Sequence, residues 1–205
     1  IPAADLRALS GIYPRTTQRN RGTDDFGIQR AHEERRSQEI AQFLRYGYPW
    51  SELSKAKRES GDIQDLQKPG WLPTAIVVNI LTTDDRRRKK KVAAADAVTI
   101  KDSPNRAATV RLPTSYTGPA WKAKEIPPIE VIDGQHRLWA FEEENFDSDF
   151  ELPVVAFVGL DLSWQAYVFY TINIKPKKIN ASLAFDLYPL LRTEDWLTKF
   201  EGHAI

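Results

Sequence analysis

Along residues 72–81, "LPTAIVVNIL", apolar and β-branched positions follow one another almost without interruption, which predicts a strand buried on both faces. The run "LPVVAFVGL", 152–160, predicts a second buried strand. "IPPIEVID", 126–133, predicts a third, with Pro127 and Pro128 just ahead of it, where proline costs no ladder bond. "AVTIKDSPNRAATVRLP", 97–113, predicts two short strands around a turn at Ser103-Pro104-Asn105. Helical spacing takes over elsewhere. In 30–46, Ile40, Phe43 and Leu44 share a face, and Gly47 and Pro49 end the segment. In 135–145, Leu138 and Phe141 share a face, and Glu142, Glu143 and Glu144 point to water. Asp161 can cap a helix in which Trp164, Tyr167, Val168, Thr171 and Ile172 recur at helical spacing, a stripe that reads as core. Pro176 breaks it, residues 181–188 predict a further helix stopped by Pro189, and another begins after Thr193. Residues 51–70 read as irregular.

Strands alternating with helices predict an α/β (α+β) fold, a mixed sheet flanked by helices. Residues 1–28 read as a polar N-terminal arm and 29–205 as one domain.

Composition narrows the setting. Of 205 residues, 41% are hydrophobic and 28% charged, the balance of a globular domain with a real core. No apolar run approaches the ~20 residues of a membrane span, and the start lacks a basic segment followed by an apolar one. There is no cysteine, which removes disulfide and thiolate chemistry and fits a reducing cytoplasm. Methionine is absent even at position 1, so the chain reads as a fragment of something longer. The histidines at 32, 136 and 203 have no partners at zinc-ligand spacing, and no metal site is assigned.

The net charge of +1 gives no global attraction to nucleic acid, so any such binding needs a local patch. The run "DDRRRKKK", 84–91, supplies one. Six consecutive cations cannot all be buried, which predicts an exposed loop. Arg86, Arg87, Arg88, Lys89, Lys90 and Lys91 are therefore candidates for contacts to nucleic-acid phosphate, and a solvated charged loop is the plain alternative.

The densest chemistry lies at 133–137, where Asp133-Gly134-Gln135-His136-Arg137 separates a strand from a helix. The first N–H groups of a helix lack intrahelical partners and carry partial positive charge. Gly134 permits a tight turn and close approach of another group, and together these form a site for phosphate. Arg137 adds a planar donor fork, and His136 can donate a hydrogen bond or move a proton near neutral pH. Asp133 would have to cap the helix, hold a cation or handle a water. The plainer reading makes Asp133 the N-cap, Gly134 the turn and Arg137 a solvated side chain.

These five residues match the signature of the DGQHR-domain family, found in Dnd B-type proteins of bacterial DNA phosphorothioation systems and in related defence proteins. "RRSQEIAQFL" with "LPTAIVVNI", and "YTINIKPKKINASLAFDL" at 170–187, resemble the family's flanking regions. The "GQHRLWA" segment is also similar to the GxxR box of the ParB/sulfiredoxin-like superfamily, which holds nucleotide phosphates at a helix start. The resemblance implies a ParB-like fold and a cytoplasmic, DNA-associated regulator or defence protein linked to DNA modification. It implies phosphate binding by Gly134, Gln135, His136 and Arg137, with Asn173 and Lys177 carried over beside them. Asp133 and His136 become the candidate catalytic pair for hydrolysis of a nucleoside triphosphate, with Mg as its optional companion. Implied partners are DNA and nucleotide, with a homo-oligomer left open. A non-enzymatic, DNA-binding transcriptional regulator is the second reading.

Overall fold

The uninterrupted β-branched runs pair with one another to make the centre of the molecule. A computed structural model of the chain describes residues 1–11, 33–48, 50–59, 64, 67–87, 89–142 and 150–176. In chain order the elements are α1 (Ala3–Leu9), β1 (Ser10–Gly11), α2 (Glu34–Tyr46), α3 (Lys55–Glu59), β2 (Ile76–Ile80), β3 (Arg86–Arg87) and β4 (Lys90–Lys91). They continue with β5 (Thr99–Ser103), β6 (Ala107–Arg111), β7 (Ile129–Asp133), α4 (Gln135–Trp139), β8 (Val154–Val158) and α5 (Leu162–Asn173). The fold is α/β. A four-stranded sheet has the order β1-β7-β2-β8, with β2 antiparallel to β7 and parallel to β8.

Strand β2 is buried at all five positions, and β7 at its first four. Ile76, Val78 and Ile80 meet Ile129 and Val131, then Leu6 and Leu9 of α1, Ala41 and Leu44 of α2, and Leu138 of α4. Burying a side chain of this size contributes roughly 1.5–3 kcal/mol.

Several expectations change. Residues 1–11 are not an extended arm. Ala3, Leu6 and Leu9 put one helical face into the core, and Ser10–Gly11 pairs in parallel with Ile129–Glu130. Residues 12–28 lie outside the described residues. Within 51–70, α3 and a short 3-10 turn at Trp50–Glu52 replace irregular chain. The helix expected over 135–145 is regular only to Trp139 and continues as turn to Glu142. Glu143 and Glu144, and the helices expected within 181–200, lie outside the described residues.

β8 is not buried on both faces: Val155 and Val158 are 48% and 53% exposed. Among the described residues it is an edge of the sheet, with β2 as its neighbour, so its apolar run does not enforce burial. The Trp164 stripe is likewise not core. Trp164 and Tyr167 are exposed, and the buried residue of α5 is Gln165. Its Nε2 donates to Glu130 Oε2 at 2.8 Å and to the Leu160 carbonyl at 3.1 Å. A buried carboxylate needs donors, and this one turns a glutamine rather than a tryptophan inward.

The basic run is not one uniform loop. β3 and β4 form a small hairpin in which Arg86, Lys89 and Lys90 are exposed. Arg87 instead turns inward. Its Nε and Nη2 donate to the two Glu130 oxygens at 2.5 and 2.7 Å, and the side chains are 10% and 5% exposed. Arg88 lies outside the described residues.

Candidate functional site

β7 ends at Asp133 and α4 begins at Gln135, the strand-to-helix junction that the apolar run and the Asp-Gly pair predict. Two local features shape it. First, Val77 pairs with Asp133 but Val78 with Val131, so Ile132 is the extra residue of a β-bulge. A bulge breaks the strict alternation of side chains. Ile132 and Asp133, adjacent in sequence, consequently both face one cleft. Second, Gly134 sits at φ 94° in the left-handed region. A Cβ there would stand 2.8 Å from Ile76 Cδ1 and 2.9 Å from Arg137 Nη2, so glycine is required both for conformation and for space.

Asp133 is not the N-cap. Gly134 occupies that position, and no side chain caps the helix. The Asp133 carboxylate faces two donors instead: Arg137 Nη2 at 2.7 Å and Asn173 Nδ2 at 3.2 Å. Asn173 Nδ2 also donates to the Phe169 carbonyl at 3.0 Å. The last turn of α5 is thereby fixed to the motif. Asn173, expected to bind phosphate, is thus held on Asp133; Lys177 lies outside the described residues.

Arg137 is neither a solvated side chain nor an open fork. Its Nη1 donates to the Thr74 and Ala75 carbonyls at 2.6 and 3.1 Å and to Thr74 Oγ1. With Nη2 on Asp133, both terminal nitrogens are committed to protein acceptors. The guanidinium joins the motif to the residues leading into β2.

The cleft encloses about 540 Å³, the size class of small-molecule sites. Its lining is mixed: Arg36, the motif and Asn173 are polar, and Ile40, Leu72, Ile132 and Phe169 are apolar. Gln135 is buried, and its Nε2 lies 3.2 Å from His136 Nε2. The Ser37 hydroxyl donates to the His136 carbonyl at 3.3 Å, which sets α2 against the motif. That contact brings Arg36 to the cleft. Arg36 is exposed, and its guanidinium makes no ion pair or hydrogen bond with any described residue. Sequence reasoning missed it. The signal available was only that Arg36 neighbours a small serine on a charged helix. No described residue of the basic hairpin lines the cleft; Arg87, expected as a contact to nucleic acid, is held on Glu130.

Among the described residues, no three His, Asp or Glu side chains come together as ligands for a metal ion, and no helix is long and apolar enough to cross a membrane. No family model, curated protein or solved structure matches the chain, so its cleft is read from its own geometry.

Proposed function

We propose that the cleft beside Asp133–Arg137 binds a phosphate-bearing ligand, a nucleotide or nucleic-acid phosphate, in a cytoplasmic DNA-associated regulator or defence protein. The observation that carries this reading is the mixed lining of the cleft. Arg36, a cation that no described residue pairs, an imidazole, His136, and an amide, Gln135, line one cleft together with Ile40, Leu72 and Phe169. A nucleotide needs that combination: charge-assisted donors for phosphate and a flat apolar surface for the base. Arg36 and His136 meet phosphate in this reading. Gly134, Arg137 and Asn173 hold the cleft in shape. The resemblance to the DGQHR-domain family and to ParB-like nucleotide sites also points to Gln135 and His136, but not to Arg36.

Binding without turnover is the better-supported form. Hydrolysis needs a group to orient or deprotonate water, and both Asp133 oxygens already accept protein donors. The base in any hydrolysis would be His136. Because Asp133 is the one carboxylate of the cleft among the described residues, we assign Mg, where a triphosphate carries it, to the phosphates.

A thermal-shift series with ATP, GTP and other triphosphates tests the reading, alongside phosphate release. A ligand bound only to the folded state at 100 times its Kd stabilises by about 2.7 kcal/mol. At least one nucleotide should raise the melting temperature, and Arg36→Ala should abolish that rise without lowering the melting temperature of the free protein. A rise that survives Arg36→Ala, or no rise with any nucleotide, rejects the cleft as a phosphate site.

A further inference from the structure

The strands β5 and β6 form a ribbon separate from the main sheet, with Thr99 opposite Arg111, Ile100 opposite Val110, Lys101 opposite Thr109 and Ser103 opposite Ala107. Nine of its ten strand residues are exposed. A two-stranded hairpin alone is marginal in water, so its base must be held, and it is. Val98 and Pro113 are buried at the root. The buried Asp96 accepts the Ser115 hydroxyl at 2.6 Å and the Lys124 N–H at 2.7 Å, and the Ala95 carbonyl accepts the Thr114 and Ser115 hydroxyls. The arm is anchored firmly and leaves its outer part exposed.

Cross-strand partners share a face, and faces alternate along each strand. Thr99, Arg111, Lys101, Thr109, Ser103 and Ala107 therefore form one face. It carries two cations, three hydroxyls and no acid. The single acid of the ribbon, Asp102, lies on the other face with Ile100 and Val110. Asn105 and Arg106 turn the tip with φ of 64° and 59°, adding a third cation there. Lys101, Arg106 and Arg111 make no ion pair with any described residue.

We propose that this ribbon is a duplex-DNA-binding arm, laid into the major groove with the Lys101–Arg111 face and the Arg106 tip toward the phosphates. Five residues at ~3.4 Å each give an arm about 17 Å long, and the major groove, about 12 Å wide, admits a two-stranded ribbon. Charge and hydroxyl donors on one face fit phosphate contacts on the groove walls. The arm uses residues outside the cleft, and it rests on the reading above only in naming DNA as the partner.

The test is a labelled mixed-sequence DNA duplex titrated across a salt series, with wild type and the triple variant Lys101→Ala, Arg106→Ala, Arg111→Ala. Each lost phosphate contact lowers the salt slope by about 1, so the variant should lose about 3 from the slope and about tenfold or more in affinity. Its melting temperature and any nucleotide-induced shift should match wild type, because the residues are exposed and outside the cleft. An RNA duplex should bind more weakly than DNA, since its deep, narrow groove does not admit the ribbon. Wild-type affinity and slope in the triple variant overturn the arm; with the Arg36-dependent nucleotide shift intact, the cleft reading stands. A wild type that binds no duplex at low salt overturns the arm whatever the cleft does. A dimer lost on Ile100→Lys with DNA binding unchanged assigns the ribbon to a second copy of the chain and also overturns it.

Discussion

The guanidinium of Arg137 lies 2.7 Å from the carboxylate of Asp133 four residues earlier, and its other terminal nitrogen holds the backbone at Thr74 and Ala75. The motif is thus a clamp across the strand-to-helix turn before it is a binding surface. Arg137→Ala should destabilise the protein by about 1–3 kcal/mol, because it leaves a half-buried carboxylate and two carbonyls short of a donor. Asp133→Asn should cost less, since its amide oxygen still accepts. Urea unfolding of both variants checks the order; an Arg137→Ala as stable as wild type would mean the clamp is dispensable.

Gly134→Ala should also destabilise, by about 1–2 kcal/mol for the left-handed backbone alone. More follows from the Cβ, which would stand 2.8 Å from Ile76 Cδ1 and displace the Arg137 guanidinium. Gly159 is the internal control. Its φ of 63° is also left-handed, but a Cβ there comes no nearer than 3.4 Å, to Thr82 Cγ2, so Gly159→Ala should lose only the backbone component. Equal losses at the two sites would refute the packing argument.

The basic run should divide when mutated singly. Removing one partner of a buried ion pair costs about 3–5 kcal/mol, and Arg87→Ala strands Glu130 in this way. Arg86→Ala and Lys90→Ala should stay within about 0.5 kcal/mol of wild type, as exposed side chains do. Thermal melts of the three variants decide this. A neutral Arg87→Ala would show that Gln165 and Asn79, which also donate to Glu130 Oε2, suffice.

Tyr116 should set an alkaline limit. Burial, the 2.5 Å hydrogen bond to Asp5 and the Asp5 charge all hold its hydroxyl proton above the usual tyrosine value. The unfolded chain releases that proton near pH ~10. A folded pKa above the unfolded one gives stability that is whole below about pH 10 and is lost as pH rises beyond it. The melting temperature should therefore fall above that pH, and Tyr116→Phe should flatten the fall. Parallel slopes for the two proteins would exclude the contact as the cause.

What the sequence determined was local. The β-branched run before Asp133, the Asp-Gly turn and the spacing of Leu138 and Phe141 are set within a dozen residues, and the junction formed where they indicate. The ribbon around Ser103-Pro104-Asn105 was legible for the same reason. Even α1 had its signal, since Ala3, Leu6 and Leu9 lie at helical spacing, but polar neighbours masked it. Tertiary structure decided what the charged and aromatic residues do. Arg87 and Glu130 are 43 positions apart, Arg137 and Thr74 63, and Asn173 and Asp133 40. A charge near an apolar strand can face water or find a counter-charge, and no local pattern distinguishes the two. The fold chose because burying Glu130 without donors would be expensive. That need drew Arg87 out of a basic run and Gln165 into the core and left Trp164 in water. Asp133 and the Thr74 and Ala75 carbonyls likewise took Arg137, which left Arg36 as the unpaired cation of the cleft among the described residues.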